Sequence, residues 1–284
     1  MLNIALLTCQ RLPDLFETDR TLIPLFERHG IHAEAAIWND SLIDWKKYDA
    51  LVIRNTWDYY TQSDVFITWL KRMRASNIPM LNPADVVLQN IHKFYLRDFE
   101  NNDIRIIPTI FSDCREPVRL EELKHKEWET VVIKPAISAG SYQTNVHPVT
   151  ELTQQTLDVL LSGSDKLIQP FLAEIKEGEL SMIFFRGRFS HAVIKKPKDG
   201  DFRVQRQYGG RYTLFHPDPS LLRVAEKIVS QISQQLLYAR VDGVMIDNEF
   251  HLMELELIEP DLYFEFDEAI KLRFVEAVMQ FLKK

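Results

Sequence analysis

Residues 250–260, Phe-His-Leu-Met-Glu-Leu-Glu-Leu-Ile-Glu-Pro, constrain the fold more than any other stretch of the chain. Apolar and acidic residues alternate with a period of two, the period of a β-strand. On a regular pleat Leu252, Glu254, Glu256 and Ile258 share one face, and Met253, Leu255 and Leu257 the other. The apolar set is the natural core side, so a core strand presents two carboxylates two residues apart. Upstream, residues 240–246 form a second apolar run carrying one carboxylate, Asp242, and Asp247-Asn248 between the runs is a hairpin signal. Folding back there brings Asp242 roughly opposite Glu254 or Glu256. Three converging carboxylates repel unless a cation lies between them, and a hard divalent ion takes such oxygens. A charged solvent face is the plainer alternative.

The first 85 residues have a different rhythm. Short apolar runs at 3–8, 32–38 and 50–53 alternate with amphipathic stretches at 17–29 and 63–76, which predicts a parallel α/β unit. Beyond it, 83–102 reads as helix, and 104–107, 131–134 and 166–169 as strands. Residues 180–185 and 189–194 read as a hairpin, 219–238 as a long helix and 265–282 as a closing helix. At 284 residues the chain accommodates about two domains or one large one.

The chain excludes several classes of function. No stretch approaches the ~20 apolar residues of a membrane span, and the N-terminus lacks the basic start of a secretory signal. A cytoplasmic protein without membrane attachment is expected. Two cysteines, Cys9 and Cys114, cannot build a disulfide framework or a zinc site by themselves. The net charge of −7 argues against general nucleic-acid binding.

Charge is unevenly placed. Eight Lys/Arg fall between 186 and 211, and eight Asp/Glu with no Lys or Arg fall between 249 and 268. Phosphoryl transfer needs both, cations on phosphates and carboxylates on magnesium. Lys134 ends the apolar run Val131-Val132-Ile133 and is followed by Pro135. The hydroxyl-rich loop 136–144, which contains Ser138, offers N–H groups and hydroxyls to a phosphate. Neither a Walker loop nor a G-x-G-x-x-G fingerprint occurs.

The order of these parts over about 90–260 resembles the ATP-grasp superfamily. The resemblance implies an α/β ATP-grasp fold: an N-terminal parallel α/β domain (1–88), a small lid subdomain (89–172) and a C-terminal subdomain with the metal site (173–284), the last two clamping ATP. It places Lys93 and Lys134 on the phosphates, Ser138 in the phosphate loop, and Gln169, Phe171 and Leu172 at the adenine hinge. Glu179 falls at the ribose. Asp242, Glu254 and Glu256 fall at Mg²⁺, and Arg240 at the acyl-phosphate and tetrahedral species. Within the superfamily the chain is similar to the bacterial glutathione synthetase branch, and most of all to cycloserine-synthetase-type ligases, which close O-ureido-D-serine into a ring. The stretches 54–60, 81–96, 190–210 and 253–263 carry that likeness. In the third, Lys196, Arg203 and the Gly209-Gly210 turn match positions that hold phosphates and substrate.

The phosphate loop has one Gly where glutathione synthetases have several, and Glu256 stands where many relatives have Asn. Both departures count against glutathione as the product. The implied activity is an ATP- and Mg²⁺-dependent carboxylate–amine ligase or cyclo-ligase on a small amino-acid-like substrate, with an acyl-phosphate-type intermediate. Alternatives are a small-molecule kinase or a non-catalytic nucleotide-binding module on the same fold. Trp57, Asp58 and Tyr59 are candidates for the substrate side. The sequence leaves the oligomeric state open, a homo-oligomer included.

Overall fold

The computed structural model describes residues 2–201 and 203–283; Phe202, inside the resembling stretch 190–210, lies outside them. The first sheet is parallel throughout. Its strands β1 (Leu2–Thr8), β2 (Ile31–Ile37), β3 (Ala50–Asn55) and β4 (Met80–Leu81) lie in the order β2-β1-β3-β4. Helices α1 (Glu17–Arg20) and α2 (Leu22–Arg28) connect β1 to β2, and α3 (Ser63–Ala75) connects β3 to β4. β3 is buried along its whole length, as expected for a parallel strand covered on both faces.

The expected helix over 83–102 is broken in two. α4 (Ala84–Asn90) and α5 (Leu96–Asn101) flank a single 3₁₀ turn, Lys93–Tyr95, that carries Lys93. The four-stranded antiparallel lid sheet follows: β5 (Ile110–Ser112), β6 (Thr130–Pro135), β7 (Asn145–Pro148) and β8 (Lys166–Pro170), ordered β5-β8-β6-β7. Helices α6 (Leu120–Lys124) and α7 (Gln154–Leu161) cover one face of it. The Thr153 hydroxyl caps α7 by accepting from the Thr156 amide. The lid has its own core, built around Leu123, Val131, Ile133, Leu157 and Ile168.

The largest sheet is antiparallel. It holds β9 (Glu179–Phe185), β10 (Arg188–Lys196), β11 (Arg211–Phe215), β12 (Tyr238–Ile246) and β13 (Glu249–Glu256) in the order β11-β10-β9-β12-β13. Alternate residues of β9 serve two cores. Ile183 and Phe185 join Ile4, Leu6 and Val52 of the first sheet, while Met182 and Phe184 pack with residues of α8 (Pro219–Ser230) such as Ala225 and Ile228. The closing helix α9 (Glu268–Leu282) adds Phe274 and Val278 to the core shared with the first sheet. Among the described residues no helix is long and apolar enough to cross a membrane.

Two expected elements differ. Residues 104–107 form no strand of their own. They lie along the β13 edge, where the Ile107 amide donates to the Leu252 carbonyl (3.1 Å) and the Leu252 amide to the Arg105 carbonyl (2.9 Å), so the edge is covered. The helix expected over 219–238 stops at Ser230. The Leu237 amide donates to Asn82 Oδ1 (2.7 Å) and its carbonyl accepts from the Arg186 amide (3.0 Å), which removes that backbone from any helix.

Candidate active site

The lid and the large sheet face each other across a cavity of about 690 Å³. The cavity wall includes twelve of the thirteen expected site residues: Lys93, Lys134, Ser138, Gln169, Phe171, Leu172, Glu179, Arg203, Arg240, Asp242, Glu254 and Glu256. Lys196 is the exception. It is exposed, and its neighbour Lys195 is buried in the wall instead.

The cause is a β-bulge. Counting back from the Arg186-Gly187 turn pairs Glu179 with Ile194. The β9–β10 register shifts between Phe189 and His191, so Glu179 pairs with Lys195. The Lys195 ammonium bonds the Glu179 carboxylate and lies 3.6 Å from Asp242. Burial works against that ammonium, but Asp242 and Glu179 outweigh it and hold Lys195 well above the usual lysine range.

A second bulge builds the acidic wall. The β12–β13 register shifts between Asp242 and Gly243, setting Asp242 opposite Glu254 and Arg240 opposite Glu256. The same shift changes the face of Leu252. It joins Leu255 and Leu257 in the core, while Met253, Glu254, Glu256 and Ile258 line the cavity. The regular pleat expected from the sequence is therefore interrupted at Met253.

The carboxylates are held apart by cations. Arg240 donates from Nε to both Asp242 oxygens (3.0 and 3.1 Å) and from Nη2 to Oδ2 (2.8 Å). It also bonds Glu256 and the Asp261 carbonyl (3.0 Å). Ser181 Oγ donates to Asp242 Oδ1 at 2.5 Å. Lys93 Nζ lies 2.9 Å from Glu254 Oε1 and 2.5 Å from the Ser138 carbonyl. Burial opposes ionisation of Asp242, yet Arg240, Lys195 and Ser181 bring it down to about 2. Glu256 moves the other way. Burial and the charges of Asp242, Glu254 and Glu259 outweigh its contact with Arg240 and push it well above the usual carboxylate range. Among the described residues, the three-ligand cluster within 4.8 Å is Asp113, Cys114 and Asp165, away from this cavity; Asp242, Glu254 and Glu256 do not converge that closely. The donor set, oxygen throughout and drawn from carboxylates facing one cavity, fits a hard divalent ion.

On the lid side Lys134 differs from every other cation in the cavity. Its ammonium makes no hydrogen bond or ion pair with a described residue, and burial pulls it below the usual lysine range. The Ser138 hydroxyl donates to the Pro135 carbonyl (3.0 Å), so Ser138 shapes the loop. Gln169 Nε2 donates to Thr109 Oγ1 (2.8 Å), and the Phe171 amide to the Thr130 carbonyl (2.9 Å). Arg203 grips Asp201 with two parallel bonds (3.0 and 2.8 Å) and lies over the Tyr208 ring. A Cβ on Gly210 would meet the Val204 carbonyl oxygen at 1.8 Å, so this turn requires glycine.

The first domain supplies Arg11, Phe16, Trp57 and Tyr59 to the cavity wall. Asp58 is structural, accepting from Trp38 Nε1 (2.8 Å). Five consecutive carbonyls after β13 each accept from a different side chain. Ile258 accepts from Tyr238 (2.7 Å), Glu259 from Trp57 (3.0 Å), Pro260 from Arg54 (3.0 Å), Asp261 from Arg240 (3.0 Å) and Leu262 from His191 (3.0 Å). This segment presents two carboxylates that the sequence reading missed, Glu259 and Asp261. Burial and the charge of Glu254 raise Glu259 to about 7. Their signal was the acidic run itself, which extends past the hairpin.

Comparison with known proteins agrees with this architecture. Residues 4–82 match the family model for the N-terminal domain of D-cycloserine synthetase DcsG. Residues 92–266, more than half of the chain, match the ATP-grasp domain of prokaryotic glutathione synthetase. The cycloserine biosynthesis protein DcsG of Streptomyces lavendulae is 28% identical, over 96% of this chain and 94% of that protein. The crystal structure of D-cycloserine synthetase DcsG superposes with a TM-score of 0.84 at 25% identity, covering 99% of both chains. The D-alanine–D-alanine ligase of Bacillus anthracis shares the fold, with a TM-score of 0.71 at 12% identity, covering 100% of this chain and 99% of that one. The chain belongs to the ATP-grasp family, in its prokaryotic glutathione synthetase type, and is an ATP-dependent ligase.

Proposed function

We propose that this ligase is a carboxylate–amine ligase or cyclo-ligase that uses ATP with Mg²⁺ on a small amino-acid-like substrate. The observation that carries the reading is the opposition, across one cavity, of Lys134 on the lid and the Arg240–Asp242–Glu254–Glu256 wall, with Lys93 between them. In the reaction, the γ-phosphoryl group passes to a substrate carboxylate oxygen or its equivalent. A substrate nitrogen then attacks the activated carbon, a C–N bond forms, the C–O bond to phosphate breaks, and the nitrogen loses its proton.

Lys93 and Lys134 hold the phosphates from two sides. Gln169, Phe171 and Leu172 frame the base, and Glu179 stands at the sugar. Arg240 donates to the oxygen that gains charge as nitrogen attacks. Asp242, Glu254 and Glu256 would hold Mg²⁺, which when bound offsets the phosphate charge. Arg203 and Lys195, the latter in place of Lys196, supply positive charge on the substrate side. Trp57, Phe16 and Arg11 form the first-domain end, where the substrate lies.

The test is incubation with ATP, Mg²⁺ and O-ureido-D-serine, the substrate of the similar ring-closing ligases. Release of one phosphate per ring closed, read by mass spectrometry, supports the reading. A stable phosphoester, or phosphate release that ignores every amino-acid-like substrate, overturns it.

A further inference from the structure

The carboxylate wall already has positive partners. Arg240 is locked, with its guanidinium bonded to Asp242, Glu256 and the Asp261 carbonyl. Lys195 is locked between Glu179 and Asp242. Lys93 meets Glu254 through the point charge of its ammonium, at the end of a four-carbon stem. Its partner Glu254 is 26% exposed, whereas the Asp242 side chain is 3% exposed, so Glu254 is open to an incoming ion and Asp242 is not. Lys93 is also tied to the phosphate loop. Its amide donates to the Ala136 carbonyl (2.8 Å) and its ammonium to the Ser138 carbonyl (2.5 Å).

The charges of this set nearly cancel. Asp242 and Glu254 face Arg240 and Lys93, and Lys195 is shared with Glu179. A free dication approaching Glu254 meets an ammonium already 2.9 Å from the oxygen it needs. Two cations on one oxygen repel strongly in a partly buried site. A metal–nucleotide complex is different, because it carries its own negative charge and offers phosphate oxygens to which the ammonium can transfer.

We propose that Lys93 is a placeholder cation: it occupies Glu254 until nucleotide phosphate draws it away, so that the carboxylate wall takes a divalent ion together with nucleotide and not before it. The proposal rests on the ATP-grasp reading of the cavity and adds an order of events to it. Lys93 thereby has two duties of opposite sign, excluding free metal and attracting phosphate.

The experiment uses Mn²⁺ as the probe, with the unbound ion followed by its electron paramagnetic resonance signal, on the full chain and on Lys93→Met. The parent is expected to leave millimolar Mn²⁺ free in the absence of nucleotide and to bind it once ADP is added. Lys93→Met is expected to bind Mn²⁺ alone at least ten-fold more tightly than the parent, while its ADP affinity falls several-fold. A merely structural lysine would lower both affinities. Lys93→Gln, which keeps a donor for the Ser138 carbonyl but loses the charge, carries the same expectation and stands in if the Met variant does not fold. A parent that binds Mn²⁺ alone as tightly as the variants overturns the placeholder role and leaves the ATP-grasp reading intact. Variants that gain no Mn²⁺ affinity do the same. A parent that binds no ADP with or without Mn²⁺ overturns the reading of the cavity, and the proposal with it.

Discussion

The two walls of the cavity hold their charge in different ways. On the lid, Lys134 near the end of β6 has no hydrogen-bond or ion-pair partner among the described residues, and burial depresses its pKa. The cations that meet the carboxylates of the large sheet are engaged: Arg240 with Asp242 and Glu256, Lys195 with Glu179, and Lys93, from the turn between α4 and α5, with Glu254. The lid wall is a bare charge in search of an anion. The sheet wall is a balanced set of charges that a ligand must rearrange. A bare charge contributes affinity directly, and a balanced network contributes position, so substitutions on the two walls should affect different measurements.

The sharpest contrast comes from Arg240→Lys. Lysine keeps the charge but loses the planar fork that spans Asp242, Glu256 and the Asp261 carbonyl. Nucleotide affinity is expected to stay within a few-fold, and kcat to fall by roughly 10²–10³, the scale of removing one oxyanion donor. Turnover at the parent rate would remove Arg240 from the chemistry and erase the contrast.

Lys134→Ala is the converse. It is expected to weaken ADP binding by about 1.5–3 kcal/mol, the range for a charge-assisted hydrogen bond, as read by calorimetry. Stability should rise at neutral pH, because the folded protein bears an ammonium that burial disfavours. The sign follows from linkage. With the folded pKa below 10.5, the parent gains stability as pH climbs from the depressed value toward 10.5, so the advantage of the alanine variant shrinks over that window. A melting temperature that drops at pH 7 would mean that Lys134 has a partner in solution.

A third measurement asks whether the acidic wall extends past the hairpin. Glu259 has a folded pKa of about 7 against an ordinary 4.5, because of burial and Glu254. A raised carboxyl contributes stability that is complete below pH 4.5 and lost as pH rises through 7. Glu259→Gln is expected to flatten the fall in melting temperature of the ligand-free protein over that window. An unchanged profile would show that Glu259 ionises as if in water.

The smallest expected effect is that of Trp57→Phe, which keeps an aromatic wall and removes the donor to the Glu259 carbonyl. A loss of about 0.5–1.5 kcal/mol in stability is expected, with ADP affinity unchanged. A fall in ADP affinity would blur the division between the walls, since Trp57 stands on neither.

Much of this arrangement was legible in the sequence, and the exceptions share a cause. Val131-Val132-Ile133-Lys134-Pro135 reads as a strand ending in a cation because nothing distant alters it, and the structure places β6 at Thr130–Pro135. The period of two in β13 identified the strand and its acidic character. It failed at Leu252 because that hairpin contains a bulge, and a bulge in the β9–β10 hairpin likewise sets Lys195, and not the neighbouring Lys196 that the resemblance implied, opposite Glu179. A bulge adds one residue to one strand, and a count from the turn then assigns every later side chain to the wrong face. Nothing in Phe189-Ser190-His191 or Leu252-Met253-Glu254 announces the extra residue. The break in the helical reading of 219–238 is likewise tertiary, decided by Asn82 and Arg186.

The five gripped carbonyls from Ile258 to Leu262 also bear on how the molecule moves. Their donors come from β3 and the turn after it (Arg54, Trp57) and from β10 and β12 (His191, Tyr238, Arg240), so one backbone segment is clamped by both bodies at once. A clamp of this kind removes a joint. The first domain and the large sheet are joined through this segment, whereas the lid carries a core of its own and meets them through Ala136, Ile137 and Leu167. Opening the lid means separating those residues from the cores they enter, so the dwell time of a nucleotide would follow the strength of that seam, and a covalent tether across it would act as a brake.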